Sequence, residues 1–499
     1  MADIMPPVRA VLDDRARRAP IQLAAWDMRR DERITFGRLA ALVEEWHQRL
    51  PQVGIWPGDR VLMLLPNGLN FVIVYVALLA HGVTAVPANP AMPDSEVVRV
   101  IEKLAPVVAV VDDGRLLPVP TLQVASGRLD GPSGTPAAGD GRGRGNASDG
   151  GIILFTSGST GAPKAVHLDA GRLLYTARAV ATHHGLTVRD RGYSPLPLFH
   201  INAQVVGLLA HLLSGGTLLL DDRFHARDFS AVIDAGRATW VNAVPAILAI
   251  LVQQPAVALP DRIKFVRSAS APLPRPVLER FRDRFGPLVL ETYGLTEAAS
   301  QVAANPLAPE RRRAGSVGRP VATRIQVVDP GGNVLGPGDV GEVRIGGPQV
   351  IDGYLDDGHG LSRSFRAGWF YTGDQGYVDD RGFLYLTGRT RDLINRGGQK
   401  IAPREVEEVL LRHPDVVQAA VVGIPHAVLG EEVAAHVVAR PGAAASSLVP
   451  ALQRLCAEQL GSYKRPAHIA VVAALPVSPT GKVQRWAVQQ QLREAVGQN

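Results

Sequence analysis

Ile152-Ile153-Leu154-Phe155-Thr156-Ser157-Gly158-Ser159-Thr160-Gly161-Ala162-Pro163-Lys164 is the stretch from which the fold of this chain can be worked out. The four apolar residues at its head read as a short buried strand. Hydroxyls, glycines and a lysine follow, a composition suited to holding phosphate. Glycine lets backbone N–H groups approach an anion closely, while Thr156, Ser157, Ser159, Thr160 and Lys164 add donors and charge. The common nucleotide loop places Gly-Lys-Ser/Thr in direct succession at the start of a helix. Here Ala162-Pro163 separates Gly161 from Lys164, so a triphosphate is expected on a loop of another kind.

The apolar strand belongs to a longer alternation. From about residue 35 to 320, helical patterns alternate with short apolar runs, which argues a layered α/β architecture. Pro274 to Phe285 is an amphipathic helix with Val277, Leu278 and Phe281 on one face. It lies between strand-like Ile263–Val266 and Leu288–Leu290. Gly127 to Gly151 is glycine-rich with almost no large apolar residue and reads as a surface linker. After Ile325 the texture changes to short strands punctuated by turns such as Asp329-Pro330-Gly331-Gly332, a β-rich stretch running to about 388. Gly388-Arg389-Thr390-Arg391-Asp392 is a polar break. Beyond it a helix opening at Pro403 runs through Val406, Val409 and Leu410 towards Pro414. Strand patterns follow at Gln418–Val422 and His436–Val438. The expected organisation is a large N-terminal α/β domain (1–388, β-rich over about 325–388), a break at 389–392, and a small mobile C-terminal α/β domain (393–499).

Length and composition bound the rest. A chain of 499 residues exceeds one compact core, and 46% hydrophobic with 20% charged residues is ordinary for a globular enzyme. The net charge of +6 has one concentrated block, Arg311-Arg312-Arg313, which reads as a solvated face rather than a nucleic-acid site. Cys456 is the only cysteine, so neither an intrachain disulfide nor a cysteine metal cluster can form. It falls in a helical pattern as a small buried hydrophobe. The N-terminus lacks the features of a signal peptide. The most apolar stretches, Phe71–Ala80 and Val205–Leu220, are too short or too broken to span a bilayer. A cytoplasmic location is the expectation.

Six further motifs extend the reading. In chain order they are Pro197-Leu198-Phe199-His200; Tyr293-Gly294-Leu295-Thr296-Glu297; Tyr371-Thr372-Gly373-Asp374; Gly388 to Asp392; Asn395 to Glu407; and Pro479-Thr480-Gly481-Lys482. With the stretch at Thr156 they resemble, in content and order, the adenylate-forming superfamily of acyl-CoA synthetases, luciferases and peptide-synthetase adenylation domains. That resemblance implies an acid–CoA ligase: a carboxylate attacks the α-phosphorus of ATP to give an acyl adenylate and pyrophosphate, and a thiol then takes the acyl group. It places the β and γ phosphates on Thr156, Ser157, Gly158, Ser159, Thr160, Gly161 and Lys164. Ser270, Ala271, Pro272, Tyr293 and Gly294 join the nucleotide set, with Tyr293 against adenine. Asp374 would accept from the ribose hydroxyls beside Arg389. Glu297 matches the Mg²⁺-associated glutamate, next to Thr296. Lys482 matches the lysine that stabilises charge between the carboxylate and the α-phosphate. With Glu297, Thr296 and His200 it makes up the implied catalytic set. Arg391 holds the hinge position, and Gly397 and Gly398 would let the pantetheine thiol approach.

The acid is narrowed by what is missing. Amino-acid-activating relatives carry an aspartate for the substrate ammonium where this chain has Phe199-His200, so the acid lacks an α-ammonium. The implied acyl pocket comprises His200, Asn242, Val244, Ser270, Gly294 and Ser300, with Gly294 leaving room where acetate-specific relatives place tryptophan. Ser268 to Leu273, Asn305-Pro306 and Asn395 to Gly398 resemble the oxalate–CoA ligase branch most. Ser300 stands where that branch would have a second histidine, so an oxalate-like acid and a medium aliphatic or aryl acid both stay open. The acceptor is coenzyme A or, alternatively, the phosphopantetheine of a carrier protein. A non-catalytic binding protein would be expected to lack Lys482, Glu297 or Asp374, and this chain has all three.

Overall fold

The computed structural model describes residues 5–130, 150–156, 164–254, 256–355, 364–477 and 483–497. Two large sheets dominate the N-terminal part. One has nine strands and is parallel at its centre, where Thr217–Leu220, Arg191–Ser194, Trp240–Ala243, Phe265–Ser268 and Val289–Leu295 lie side by side. Antiparallel strands close both edges: Glu32–Thr35 on one side, Ser300–Ala304 and Arg319–Pro320 on the other. The second sheet has seven strands and ends on the hairpin Gly151–Thr156/Lys164–Asp169.

A single apolar core ties the two sheets together. At its centre is the helix Leu69–Ala80, buried along almost its whole length. Such a sequence, apolar all round, is stable only when covered on every side. Each fully buried Val, Leu, Ile or Phe contributes roughly 1.5–3 kcal/mol. Short polar residues set the flanking helices: Thr35 accepts from Arg38 N at the start of Phe36–Arg49, and Asp169 from Arg172 N at the start of Ala170–His183.

The β-rich region is a five-stranded antiparallel sheet, Arg324–Val328, Gly341–Gly346, Phe365–Arg366, Trp369–Val378 and Leu384–Arg389. A last five-stranded sheet uses only residues after 393: Ile394–Arg396, Gln399–Ile401, Val416–His426, Gly430–Ala439 and His468–Val472. The helices Pro403–Leu410, Ala445–Gln459 and Arg485–Gly497 pack against it, enclosing two small cores of their own. The chain is therefore α/β, with a large N-terminal part and a small C-terminal one.

Several sequence expectations change in detail. The helix from Pro403 stops at Leu410, short of Pro414. The expected linker is shorter than Gly127–Gly151. Arg128–Asp130 pairs with Thr121–Ala125, and Gly127 O accepts from the Trp46 indole at 2.9 Å. Gly151 already belongs to a strand. Arg312 is no solvated arginine: its guanidinium is half-buried and donates to the carbonyls of Pro306, Leu307, Pro287 and Val289. Cys456 is buried, and burial pushes its thiol up to about 11, which suits packing rather than nucleophilic chemistry. Among the described residues no helix is long and apolar enough to cross a membrane.

Candidate active site

Ligands of open parallel sheets bind beyond the carboxyl ends of the strands. Four neighbouring strands of the nine-stranded sheet deliver the implied residues to that edge. Arg191–Ser194 leads to Leu198–His200; Trp240–Ala243 to Val244; Phe265–Ser268 to Ser270, Ala271 and Pro272; and Val289–Leu295 carries Tyr293 and Gly294 and leads to Thr296 and Glu297. Backbone strain gathers here. Ser270, Ala299 and Ser300 all have positive φ, at 71°, 50° and 94°. For residues with a Cβ such angles are costly and persist only where the surroundings impose them.

The hairpin Gly151–Thr156/Lys164–Asp169 brings the phosphate stretch alongside. Thr156 pairs with Lys164, so the two ends of that stretch are held together, while Ser157 to Pro163 lie outside the described residues. Lys164 Nζ stands 4.4 Å from the centroid of the Tyr354 ring, and the Tyr354 hydroxyl donates to Glu297 Oε1 at 3.0 Å. Backbone bonds from Leu355 N to Ala165 O (3.0 Å) and from Ile351 N to Glu297 O (2.9 Å) fix both ends of this bridge. A cation and a carboxylate thus share one tyrosine. Glu297 is half-buried on a short 3₁₀ turn, and its oxygens are the kind Mg²⁺ takes. The other metal-capable cluster among the described residues, Asp221, Asp222 and His225, is already paired with Arg29.

On the β-rich sheet Asp374 lies in register with Arg389, whose Nε donates to Asp374 Oδ1 at 2.8 Å. The Tyr293 hydroxyl donates to Asp374 Oδ2. Burial, then the adjoining carboxylate, raises the Tyr293 phenol far above its ordinary value, so it remains a donor. Asp374 in turn raises the Arg389 pKa and keeps that side chain cationic. A carboxylate has about four acceptor positions, so two protein donors leave room for a diol.

Gly294 has a structural reason beyond pocket space. A Cβ there would lie 1.7 Å from Ser300 O across the bulged pairing of Val289–Leu295 with Ser300–Ala304. Gly294→Ala should therefore destabilise by about 2 kcal/mol or more and remove adenylation with it. An unchanged denaturation midpoint would show that the hairpin opens without cost. Gly397 and Gly398, with φ of 58° and 86°, form the two-residue turn of the hairpin Ile394–Arg396/Gln399–Ile401. Positive φ at both positions is what such a turn demands. Arg391 is exposed on the 3₁₀ turn Thr390–Asp392, which follows Arg389 directly. Lys482 lies outside the described residues. The residues flanking 478–482, Val477 and Val483, are bridged to each other.

His200 is half-buried, its ring 4.5 Å from that of Phe199. Asn242, expected on the pocket wall, is completely buried and belongs to a network the motifs do not announce. Arg267 Nη1 donates to Asn202 Oδ1 at 2.9 Å and Asn242 Oδ1 at 3.1 Å; Nε and Nη2 donate to Gln301 Oε1 at 3.4 and 3.3 Å. Asn202 Nδ2 reaches Ser270 Oγ at 3.2 Å. The clue in the sequence is an arginine inside the otherwise apolar run Phe265-Val266-Arg267.

Comparison with known proteins places this geometry. The profile for AMP-binding enzymes matches residues 12–355, and that for the AMP-binding enzyme C-terminal domain matches 405–482. The chain is 36% identical to sulfoacetate–CoA ligase of Cupriavidus necator, covering 91% of each chain. It is 34% identical to oxalate–CoA ligase of Arabidopsis thaliana over 92% of this chain and 94% of that one. Among solved structures, o-succinylbenzoate CoA synthetase from Bacillus subtilis with its acyl-adenylate intermediate superposes with a TM-score of 0.82 at 30% identity, covering 97% of this chain and 98% of that one.

Proposed function

This chain belongs to the family of AMP-binding enzymes and is an AMP-forming acid–CoA ligase using ATP, Mg²⁺ and coenzyme A; on that footing we propose that its acid is small, lacks an α-ammonium and resembles oxalate in carrying a second anionic group. The observation that carries this reading is the convergence of His200, Ser270, Ser300 and the Arg267 network at one sheet edge, beside the bridge Lys164–Tyr354–Glu297. Three similar proteins are named for sulfoacetate, oxalate and o-succinylbenzoate, all of them acids with a second anionic group.

In the first half-reaction the acid carboxylate attacks the α-phosphorus and pyrophosphate leaves. Asp374 and Arg389 hold the ribose, with Tyr293 beside the adenine. Lys164 and the residues 156–161 hold the departing phosphates. Glu297, next to Thr296, would hold Mg²⁺, which would supply charge neutralisation at the phosphates. Lys482 stabilises the charge that builds between carboxylate and α-phosphate, and His200 faces the acid. In the second half-reaction the thiol of coenzyme A attacks the acyl carbon and AMP leaves. Movement about Arg391 brings Gly397 and Gly398 towards the thiol arm.

The test is pyrophosphate release across dicarboxylic, sulfonated, aliphatic, aryl and amino acids, with and without coenzyme A, and thioester detection by mass. Small dianionic acids should give acyl-CoA. Strong turnover of amino acids alone, or adenylate that never reaches coenzyme A, would overturn the reading.

A further inference from the structure

Arg267 is 1% exposed, and among the described residues it forms no ion pair. Its partners are amide oxygens of Asn202, Asn242 and Gln301. The nearby His183 and His184 cannot balance it, and they add no second positive charge, since burial and then Arg267 itself hold both below their ordinary pKa. Burial lowers the guanidinium only to about 9, so it stays cationic at neutral pH. An isolated buried cation is expensive unless something balances it.

The surroundings say where the balancing charge comes from. Asn202 follows His200 by two residues, opens the π-helical segment Ala203–Leu209 and bonds both Arg267 and Ser270. Gln301 sits opposite Gly294 in the strand pairing. One route out of the network, from Asn202 Nδ2, ends on Ser270 of the implied acyl pocket; another, from Asn242 Nδ2, ends on Ser194 Oγ at 3.4 Å. Gln301 Nε2 is itself buried and donates to no described group.

We propose that Arg267 is the specificity-determining positioning residue of this site: its buried charge, relayed through Asn202 to Ser270, selects acids whose far end carries a second negative charge. This rests on the acid–CoA ligase reading above. A unit charge about 8 Å from such a cation at an effective dielectric of about 20 corresponds to about thirtyfold in selectivity.

The experiment compares acids of equal shape that differ in charge: sulfoacetate with methylsulfonylacetate, succinate with 4-oxopentanoate, and glutarate with 5-oxohexanoate. Wild-type enzyme should prefer the charged member of the pair it accepts by about tenfold or more in kcat/KM. Gln301→Glu puts a carboxylate on Arg267 without removing any described hydrogen bond. It should bring that ratio to within about threefold by raising KM for the charged acid more than for the neutral one. Arg267→Lys should keep part of the preference and Arg267→Gln should lose it. If Arg267→Gln does not fold, the wild-type ratio and Gln301→Glu decide. A wild-type ratio near one, an unchanged ratio in Gln301→Glu, or turnover of monoacids alone overturns the inference and leaves the ligase reading standing. Failure of every acid to release pyrophosphate strikes the ligase reading instead.

Discussion

Lys482→Ala should abolish acyl-adenylate formation while sparing the transfer of an acyl group from supplied acyl adenylate to coenzyme A. Removing one preorganised charge aimed at a transition state costs about 10²–10³ in rate, and a full cation at the reacting phosphorus belongs at the upper end or beyond. In the second half-reaction no anionic carboxylate attacks the α-phosphorus and the bond that breaks is at the acyl carbon, so its rate should stay within about threefold. ATP–pyrophosphate exchange and single-turnover thioester formation separate the two. Exchange at the wild-type rate would remove Lys482 from the mechanism. On either side of the segment that holds Lys482, Gln484 N bonds Pro476 O at 2.8 Å and Val477 is bridged to Val483.

Glu291→Gln should stabilise the protein at alkaline pH and leave it unchanged in acid. Glu291 is 6% exposed, and neither of its carboxyl oxygens has a hydrogen-bond partner among the described residues. Burial raises its pKa from 4.5 to about 8; Arg404 of the helix Pro403–Leu410 pulls it down and Glu408 pushes it up. The folded protein therefore holds a proton that the unfolded chain gives up above pH 4.5. Stability from this group is complete below that value, falls as pH rises, and has gone once pH passes about 8. The neutral amide has the same shape and no proton to lose. The difference between variant and wild type should be near zero at pH 4.5 and reach roughly 2–4 kcal/mol by pH 8.5. Thermal midpoints measured across that range check it; a difference constant with pH would show that Glu291 is ionised in the fold.

What was legible in the sequence follows from what is local. The helix Arg275–Phe285 and the strand Gly151–Thr156 show themselves by periodicity and apolar run. The site motifs are short continuous segments, and those that follow Arg191–Ser194, Phe265–Ser268 and Val289–Leu295 leave neighbouring strands at one edge, so motif order carries that part of the architecture. Arg267, Asn202, Asn242 and Gln301 meet from four separate segments, and no local pattern encodes that meeting. Tyr354 could not be linked to Lys164 or Glu297 for the same reason. In the sequence Gly294 suggests only the room it leaves; its glycine is required by a backbone approach from Ser300, which only the strand pairing reveals. Arg312 stands in a charged run that normally faces water, and the carbonyls it serves are those of Pro306 and Leu307 just upstream and of Pro287 and Val289 at the start of a strand.

The strand Leu384–Arg389 ends where the turn Thr390–Asp392 begins, so the arginine on Asp374 is the last residue before the chain changes direction. In any rotation, travel grows with distance from the axis. A swing about this turn would carry the residues beyond 393 along a wide arc and leave Arg389 almost still, as a door leaves its jamb. The ribose would sit at the jamb. One bound nucleotide could then serve both faces of the moving part in turn, with no need to be released and caught again between them.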